Sequence, residues 1–177
     1  VRGQRVYFSQ RDRPMPKQPP QFAMLLRKHL SNARLLGATQ IGFDRILRLE
    51  FDTKDGRRDL IVEMFRNGNV ILLDENGVII QPLTHVKYET RTIKRGENYI
   101  APPEPMDPRN LSVTQFLNVL QESDRDLVHT LAGRMSLGSA YAHALCSQTG
   151  LDPNQSASEI DSAEKLHQGF QQWVEQI

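Results

Sequence analysis

Three turn dipeptides constrain the fold of this chain more than any other sequence feature. Asp55-Gly56, Asn67-Gly68 and Asn76-Gly77 follow one another at short intervals, and each supplies residues that adopt positive φ in a tight hairpin. The segments around them are β-rich, and we expect four strands, at about 43–52, 58–66, 69–74 and 78–83. Strands joined by short hairpins pair antiparallel, so this part of the chain is predicted to form an antiparallel meander.

A helix is predicted ahead of the meander. Pro20 suits a first helical turn, and apolar residues then recur at a helical spacing that forms one stripe: Phe22, Leu25, Leu26, Leu30 and Ala33. In the first strand of the meander, Leu47, Leu49 and Phe51 alternate with other residues and form one apolar face, against which this stripe could pack. A short strand is also predicted at Arg5–Ser9.

The proline-rich segment 101–108 divides the chain. We therefore expect a β-rich domain at residues 1–105 and a helical domain at 106–177. In the second domain Ser112 is predicted to cap a helix, and further helices are expected at 124–132, at 139–148 before Gly150, and from 158 to the end. The predicted class is α+β, an antiparallel meander or sandwich with a packed helix, followed by a small all-α module similar to helix-hairpin-helix domains.

The charge of the chain is unevenly distributed. The net charge is +1, yet residues 1–50 carry ten Lys/Arg against three Asp/Glu, whereas residues 110–177 carry three against eight. A basic segment suits a polyanionic partner, because each cation that neutralises a phosphate releases counterions. A solvated basic surface would have the same composition, so both interpretations remain open.

Several chemistries find no support in the sequence. Cys146 is the single cysteine, so neither an internal disulfide nor a zinc site built on cysteine pairs can form. The five histidines lack the close spacing of metal ligands on one helix face, and no Gly-rich phosphate loop occurs. No apolar run approaches the length of a membrane span, and no leader opens the sequence. We expect a cytoplasmic protein that needs no cofactor and binds no membrane.

Asp44 and Arg45 are candidate functional residues at the start of the predicted first strand. Neighbouring strand residues face opposite sides of a sheet, so these two side chains are expected to point apart. Arg45 would then share a face with Leu47 and Leu49, where a cation needs an acid, carbonyl groups or an anionic ligand. A structural salt bridge and a ligand contact both satisfy that need. Arg27 and Lys28 lie off the apolar stripe of the preceding helix.

Two further segments carry possible nucleic-acid contacts. Beyond Leu83, cations alternate with tyrosines, a mixture that single-stranded nucleic acid can use but that a charge-protected edge strand also shows: His85, Lys87, Tyr88, Arg91, Lys94, Arg95 and Tyr99. In the helical domain, Ser136-Leu137-Gly138-Ser139 resembles the Gly-hydrophobic-Gly hairpin whose amides bind phosphate. Ser136 replaces the first glycine and the surrounding segment is acidic, so helices that serve packing alone remain the alternative.

Five motifs together resemble a known family. They are PPQFAMLLRKHL at 19–30, GFDRI at 42–46, EMF at 63–65, GNVIL at 68–72, and GENY at 96–99 followed by Pro102-Pro103. In these motifs the chain is similar to the N-terminal domain of the NFACT family, also called fibronectin-binding protein A-like, which includes the eukaryotic nuclear export mediator factor. The resemblance covers nearly the whole chain.

The resemblance implies a role in ribosome-associated quality control. Proteins of this family bind large ribosomal subunits that carry peptidyl-tRNA, and recruit tRNA to extend the stalled peptide at its C-terminus without a template. The Asp-Arg motif, here Asp44 and Arg45, is linked to tRNA engagement, and Arg27, Lys28 and Arg95 would add RNA contacts. Peptide-bond chemistry would belong to the ribosome, so the resemblance implies an RNA-binding factor rather than an enzyme.

The resemblance also implies that the sequence is a fragment. Family members carry additional strands before the position of Val1, and a coiled coil and another domain after that of Ile177. A sheet lacking its first strands could be completed by another copy of the chain, so self-association is expected to be possible.

Two other functions are compatible with the fold or the family names. Formamidopyrimidine-type DNA glycosylases also join a β-rich domain to a helical one, but their chemistry needs an N-terminal proline followed by glutamate, and Val1-Arg2 offers neither. An adhesin that binds host matrix is the other alternative, and the lack of a leader argues against it.

Overall fold

The computed structural model describes residues 6, 10, 14, 16–65, 67–103, 106–161 and 163–175. The chain forms two compact units, Val1–Pro103 and Glu104–Ile177. The first is β-rich and the second is helical, which confirms the α+β class. The strand predicted at Arg5–Ser9 lies, apart from Val6, outside the described residues.

In the first unit the described residues form one helix and a five-stranded antiparallel sheet whose spatial order follows the chain. A separate two-stranded ribbon follows the sheet. The elements are α1 (Gln21–Leu30), β1 (Arg34–Gln40), β2 (Ile46–Thr53), β3 (Gly56–Glu63), β4 (Val70–Leu73), β5 (Ile79–Pro82), and the ribbon strands β6 (Val86–Lys87) and β7 (Thr92–Ile93). The predicted meander is therefore confirmed.

Glycines at positive φ form two of the hairpins. Gly56 has φ +95° and follows the two-residue turn between β2 and β3, while Gly77 has φ +79° in the turn between β4 and β5. Side chains with a Cβ rarely adopt these angles. In the β2–β3 hairpin, Thr53 pairs with Gly56 and Phe51 pairs with Arg58, so this hairpin lies at the opposite end of β2 from Ile46.

The structure differs from the sequence prediction at the first strands. β1 was not expected, because its sequence RLLGATQ lacks regular alternation and contains Gly37. Its pairing with β2 is interrupted by a bulge between Leu35 and Gly37, which breaks the period of two on which strand prediction depends. β1 lies at the edge of the sheet, and most of its residues are exposed.

Helix α1 packs against β2 through half-buried side chains. The helix ends at Leu30 because Ser31 is extended and Asn32 has φ +61°, so Ala33 lies beyond the end of the predicted stripe. The fully buried core of this unit instead consists largely of isoleucines from the sheet and the ribbon, namely Ile46, Ile61, Ile71, Ile79 and Ile93.

The described residues of the second unit form four α-helices: α2 (Val113–Gln121), α3 (Leu127–Gly133), α4 (Gly138–Thr149) and α5 (Ala163–Val174). Ser112 caps α2 through a capping box with Gln115 and Gly150, at φ +71°, ends α4; both predictions are confirmed. α3 starts later than predicted because Asp126 is its N-cap and accepts a hydrogen bond from the His129 amide at 2.8 Å. α5 also starts later than predicted, because residues 157–159 form a separate 3₁₀ turn.

One apolar core holds these helices together. Each helix contributes side chains that are fully or almost fully buried, among them Phe116, Leu120, Leu131, Leu145 and Leu166. The resemblance to helix-hairpin-helix modules stays a prediction. In the described ranges no helix is both long enough and apolar enough to cross a bilayer.

Candidate nucleic-acid interface

Asp44 and Arg45 lie in the turn between β1 and β2. The Ile41 amide donates to the Ile46 carbonyl at 2.9 Å, and Gly42 adopts φ +58°, so the chain reverses direction before β2 begins. The prediction that Asp44 and Arg45 open a strand and face opposite sides of the sheet is therefore wrong. The glycine allows a turn to form here, and strand alternation does not apply within it.

Backbone hydrogen bonds set the shape of this turn. The Asp44 carboxylate Oδ1 accepts from the Arg45 amide at 2.7 Å, and the Gln40 side-chain amide donates to the Asp44 carbonyl at 2.8 Å. The Met64 amide donates to the Arg45 carbonyl at 2.8 Å, which ties the turn to the end of β3. Asp44 is half-buried and Arg45 is exposed. Two neighbouring residues of opposite charge therefore lie on a backbone that these hydrogen bonds hold in place.

Asp44 lines a cleft of about 350 Å³. Its other walls are aromatic, proline, threonine and arginine side chains: Phe65, Tyr88, Thr90, Arg91, Pro102 and Pro103. Flat aromatic and proline surfaces suit the face of a planar ligand, and a carboxylate at the wall can accept hydrogen bonds from hydroxyl or amino groups. A second depression of about 380 Å³ adjoins it and shares Tyr88, Thr90 and Arg91.

A buried ion pair contributes to the cleft, because Arg91 is one of its lining residues. The side chains of Glu63 and Arg91 are 0% and 4% exposed. Their contact is bidentate, with Nη1–Oε1 at 2.5 Å and Nη2–Oε2 at 3.2 Å, and Arg91 Nη1 also donates to the Ile100 carbonyl at 3.1 Å. Charge-assisted paired contacts of this kind have a defined geometry, so Arg91 joins the end of β3 to the segment that leads into the cleft prolines.

Two tyrosines complete this cluster. The Tyr99 hydroxyl donates a hydrogen bond to Glu63 Oε1 at 3.0 Å. The Arg91 guanidinium lies over the Tyr88 ring, 4.8 Å from its centroid. Burial raises the pKa of Tyr99, the charge and hydrogen bond of Glu63 raise it further, and Arg91 opposes them. For Arg91 burial alone would lower the pKa, but the hydrogen bond and charge of Glu63 outweigh it and raise the pKa.

Sequence reasoning did not find the Glu63–Arg91 pair. Arg91 was grouped with exposed cations as a possible nucleic-acid contact, whereas the structure buries it against an acid. A signal for this pairing exists in the sequence: Glu63 ends the apolar run Leu60-Ile61-Val62, and an acid that continues a buried strand needs a cation or several donors. Its partner, 28 residues further along the chain, could not be read from local sequence.

The remaining predicted RNA-contact residues of this unit are not among those that line the cleft. Arg27 and Lys28 are exposed in the last turn of α1. The chain then runs through residues 31–33 into Arg34, which pairs with Asp52 at the hairpin end of β2. The length of β2 separates this end from Asp44 by about 25 Å, at roughly 3.3 Å per residue. Arg95 is exposed in the turn after β7 and is not among the residues that line the cleft.

The structure places Ser136, Leu137, Gly138 and Ser139 at the junction of α3 and α4. Ser136 and Gly138 adopt positive φ, at +55° and +74°, so serine occupies a left-handed position that favours glycine. The Ser136 and Leu137 amides donate to carbonyls within the unit. Phosphate binding by this hairpin stays a prediction.

Comparison with known proteins identifies the family. A model of the NFACT N-terminal and middle domains matches residues 1–177. The chain belongs to the NFACT family. It is 33% identical over 172 residues to "Archaeal Rqc2 homolog aRqcH" of Methanocaldococcus jannaschii, a match that covers 94% of this chain and 26% of that protein. It is 49% identical over 74 residues to "Ribosome quality control complex subunit 2" of Saccharomyces cerevisiae, covering 42% of this chain and 7% of that protein.

A solved structure supports the fold. The N-terminal part of the fibronectin/fibrinogen-binding protein of Streptococcus suis superposes with a TM-score of 0.66 at 29% identity, covering 92% of this chain and 62% of that one. The chain spans about a quarter or less of the length of the two curated relatives named above. Among the described residues of this NFACT chain, no group of three or more His, Cys, Asp or Glu side chains is placed to hold a metal ion.

Proposed function

We propose that this chain is an RNA-binding part of a cytoplasmic factor of ribosome-associated quality control. In this role it engages large ribosomal subunits that carry peptidyl-tRNA and helps to recruit tRNA for template-free extension of the stalled peptide. Membership of the NFACT family supports the proposal, as do relatives whose names refer to ribosome quality control. The chain contributes binding and positioning, while the peptide bond is formed by the ribosome.

The observation that carries the proposal is the cleft beside Asp44. Proteins that read single-stranded RNA stack unpaired bases on flat side chains and hydrogen-bond the base edges or the ribose hydroxyls. Tyr88, Phe65 and Pro102 supply apolar, largely planar surfaces in the cleft. Each stacked base contributes about 1–3 kcal/mol to binding, and a volume of about 350 Å³ suits a contact with one or a few nucleotides rather than a duplex.

Asp44 and Arg45 would have different roles at this cleft. One Asp44 oxygen already accepts from the Arg45 amide, but a carboxylate offers about four acceptor sites, so it can also accept from a ribose hydroxyl or a base amino group. The exposed Arg45 guanidinium is suited to a phosphate or a base edge. The turn holds the backbone of both residues in place before RNA binds, which lowers the entropic cost of binding.

The test is binding of tRNA and of purified large ribosomal subunits to the chain and to the variants Arg45→Ala and Asp44→Asn. A charge-assisted contact contributes about 1.5–3 kcal/mol, so Arg45→Ala is expected to weaken tRNA binding at least tenfold. Lys165→Ala, which removes an exposed cation from α5 in the helical unit, is the control and should change affinity little. The proposal fails if the unmodified chain binds neither ligand at low salt, or if Arg45→Ala and Lys165→Ala behave alike.

A further inference from the structure

The second depression, which adjoins the cleft beside Asp44, has no role in the proposed function. The two spaces share the turn of the ribbon, because Tyr88, Thr90 and Arg91 line both of them. The second depression has a volume of about 380 Å³ and is lined by residues 87–92 and by residues 97, 98 and 100. Two neighbouring spaces therefore meet at the ribbon turn, and each is within the size range of small-ligand sites.

Hydrogen bonds hold both segments that line the second depression. The Ile79 amide donates to the Glu97 carbonyl at 2.8 Å, and the Gly96 amide donates to the Ile79 carbonyl at 2.9 Å. These two bonds fasten the later segment to the start of β5. Arg91 Nη1 donates to the Ile100 carbonyl at 3.1 Å, which links the ribbon turn to the same segment. The backbone of the depression is thus ordered without a ligand, which lowers the entropic cost of binding.

Three side chains of this lining offer polar groups that the protein does not use. Glu89, Glu97 and Asn98 are exposed and line the depression. Within the described part of the chain, none of the three side chains forms a hydrogen bond or an ion pair. The two carboxylates only accept hydrogen bonds, whereas the Asn98 amide can both donate and accept. The lining is therefore able to bind a ligand that presents hydrogen-bond donors.

The charge of the lining indicates which part of a nucleotide it suits. Two unpaired carboxylates lie against one unpaired cation, Lys87, because Arg91 is paired with Glu63 in the described structure. This balance repels a phosphate group. The amino group of a base, in contrast, is a donor that a carboxylate accepts. Adenine, guanine and cytosine each carry an amino group, whereas uracil has carbonyl oxygens on the same edge.

The hydroxyl group of Tyr88 also lacks a partner. Its oxygen is buried and forms no hydrogen bond among the described residues, although native proteins pair almost all buried polar groups. Tyr88 lines both spaces, and the Arg91 guanidinium lies 4.8 Å from the centroid of its ring. A ligand in either space would contact this side chain and could supply the missing partner.

We propose that the second depression binds the nucleotide next to the one in the cleft, and that Glu89 and Glu97 select a base with an amino group over uracil. The proposal rests on the proposed function, because it takes single-stranded RNA as the ligand. Consecutive bases then lie on the two sides of the ribbon turn, one beside Asp44 and the other beside Glu97. The carboxylates accept from the amino group, and the Asn98 amide is free to donate to a ring nitrogen or a carbonyl oxygen of the base.

Hexacytidylate and hexauridylate are the matched probes for this site. Both are pyrimidine RNAs of equal length and charge, and cytosine carries an amino group where uracil carries a carbonyl oxygen. The test compares their affinities for the unmodified chain and for the double variant Glu89→Ala/Glu97→Ala. Binding of hexacytidylate is expected to weaken about tenfold in the double variant, as for the loss of one hydrogen bond to a charged group. Binding of hexauridylate is expected not to weaken.

The direction of the change separates base recognition from general electrostatics. Loss of two negative charges reduces the repulsion of RNA, and on that ground alone both oligonucleotides would bind more tightly to the double variant. Glu164→Ala, which removes an exposed acid from the first turn of α5 in the helical unit, is the control. It should leave the ratio of the two affinities unchanged. Glu89 and Glu97 are exposed, so both replacements are expected to preserve the fold.

The outcomes separate this proposal from the proposed function. The second site is refuted if the double variant has the same ratio of affinities as the Glu164→Ala control, or if it binds both oligonucleotides more tightly. In either case the proposed function stands as long as Arg45→Ala weakens tRNA binding. If the unmodified chain binds neither tRNA nor large subunits at low salt, the proposed function is refuted, and the second site with it.

Discussion

Replacing Arg91 with leucine would leave the Glu63 carboxylate in the interior of the first unit without its cation. Glu63 is fully buried, and three polar contacts of Arg91 would be lost: two to the Glu63 oxygens and one to the Ile100 carbonyl. The hydroxyl of Tyr99 would remain as a donor to Glu63. One neutral hydrogen bond does not replace a bidentate cation, because the charge itself stays uncompensated.

The expected loss follows from what happens when a buried pair is broken on one side. Removal of one partner costs about 3–5 kcal/mol, whereas replacement of both partners by apolar residues of similar size is often close to neutral. Arg91→Leu should therefore lower the free energy of unfolding of the first unit by about 3–5 kcal/mol. The double variant Glu63→Leu/Arg91→Leu should recover about half of that loss, because the uncompensated charge is removed while the Tyr99 hydroxyl, left without its acceptor, still costs about 1–3 kcal/mol.

Hydrogen exchange measured peptide by peptide is the appropriate assay, because the chain has two compact units and one unfolding midpoint need not describe both. Amides of β3 and β4 report the first unit. The single tryptophan, Trp173, lies in α5 of the second unit, so its emission during urea unfolding shows whether a change is confined to the first. Arg34→Ala is the matched control: its ion pair with Asp52 is 76% and 55% exposed, and such pairs contribute at most about 1 kcal/mol.

The reasoning is refuted if Arg91→Leu costs no more than Arg34→Ala, or if the double variant is as unstable as the single one. The first result would mean that the pair contributes no more than a surface contact does. The second would mean that the loss arises from the volume and packing of the Arg91 side chain, and that the uncompensated charge of Glu63 is not its cause.

Two other predictions concern pH and backbone strain. The raised pKa of Tyr99 means that its proton is lost from the unfolded chain first, near pH 10, so stability should fall as pH rises above 10, by at most about 1.4 kcal/mol per pH unit. Tyr99→Phe should lack this dependence on pH. The prediction is contradicted if the free energy of unfolding, measured in urea at pH 9–11, falls equally with pH in both proteins. Gly150→Ala should cost about 1–2 kcal/mol, because Gly150 has φ +71° with no atom within 4 Å of a built Cβ and the penalty is conformational. Gly133→Ala, equally unobstructed but without positive φ, should be neutral or stabilising by about 0.5–1 kcal/mol; Trp173 emission during urea unfolding measures both, and equal effects would contradict the assignment.

Local patterns predicted the elements whose signals are complete within a few residues. Gly56 and Gly77 adopt positive φ in two hairpins of the meander as predicted, whereas Gly68 does not. The Ser112 cap and the Gly150 stop bound two helices, because capping and positive φ are properties of single positions. β1 escaped prediction since a bulge removes its alternation. The assignment of Asp44 and Arg45 to a strand was wrong because Gly42 forms a turn. The apolar residues that flank this turn make the sequence look like part of a strand.

The candidate site required information from distant parts of the chain. The motif containing Asp44 and Arg45 was recognisable in the sequence, but the other walls of its cleft come from Phe65 beyond β3, from the loop between the ribbon strands and from the proline segment, about 20 to 60 residues further on. The pairing of Glu63 with Arg91 likewise depends on how the sheet and the ribbon meet. Two charged residues read separately from the sequence are both expected at the surface, and only their mutual contact allows both to be buried.

The sequence by itself determined the class of the fold, the family and the basic character of residues 1–50, because hairpin turns, helix caps and long motifs depend on residues close together in the chain. The tertiary structure alone decided at which end of the sheet each cation lies. Lys28 is 17 residues from Arg45 in the sequence, yet the two lie at opposite ends of β2, since α1 leads into β1 at the hairpin end of the sheet. A strand of eight residues converts a short sequence separation into about 25 Å of space, and for this reason cations of one basic segment lie at two ends of the sheet.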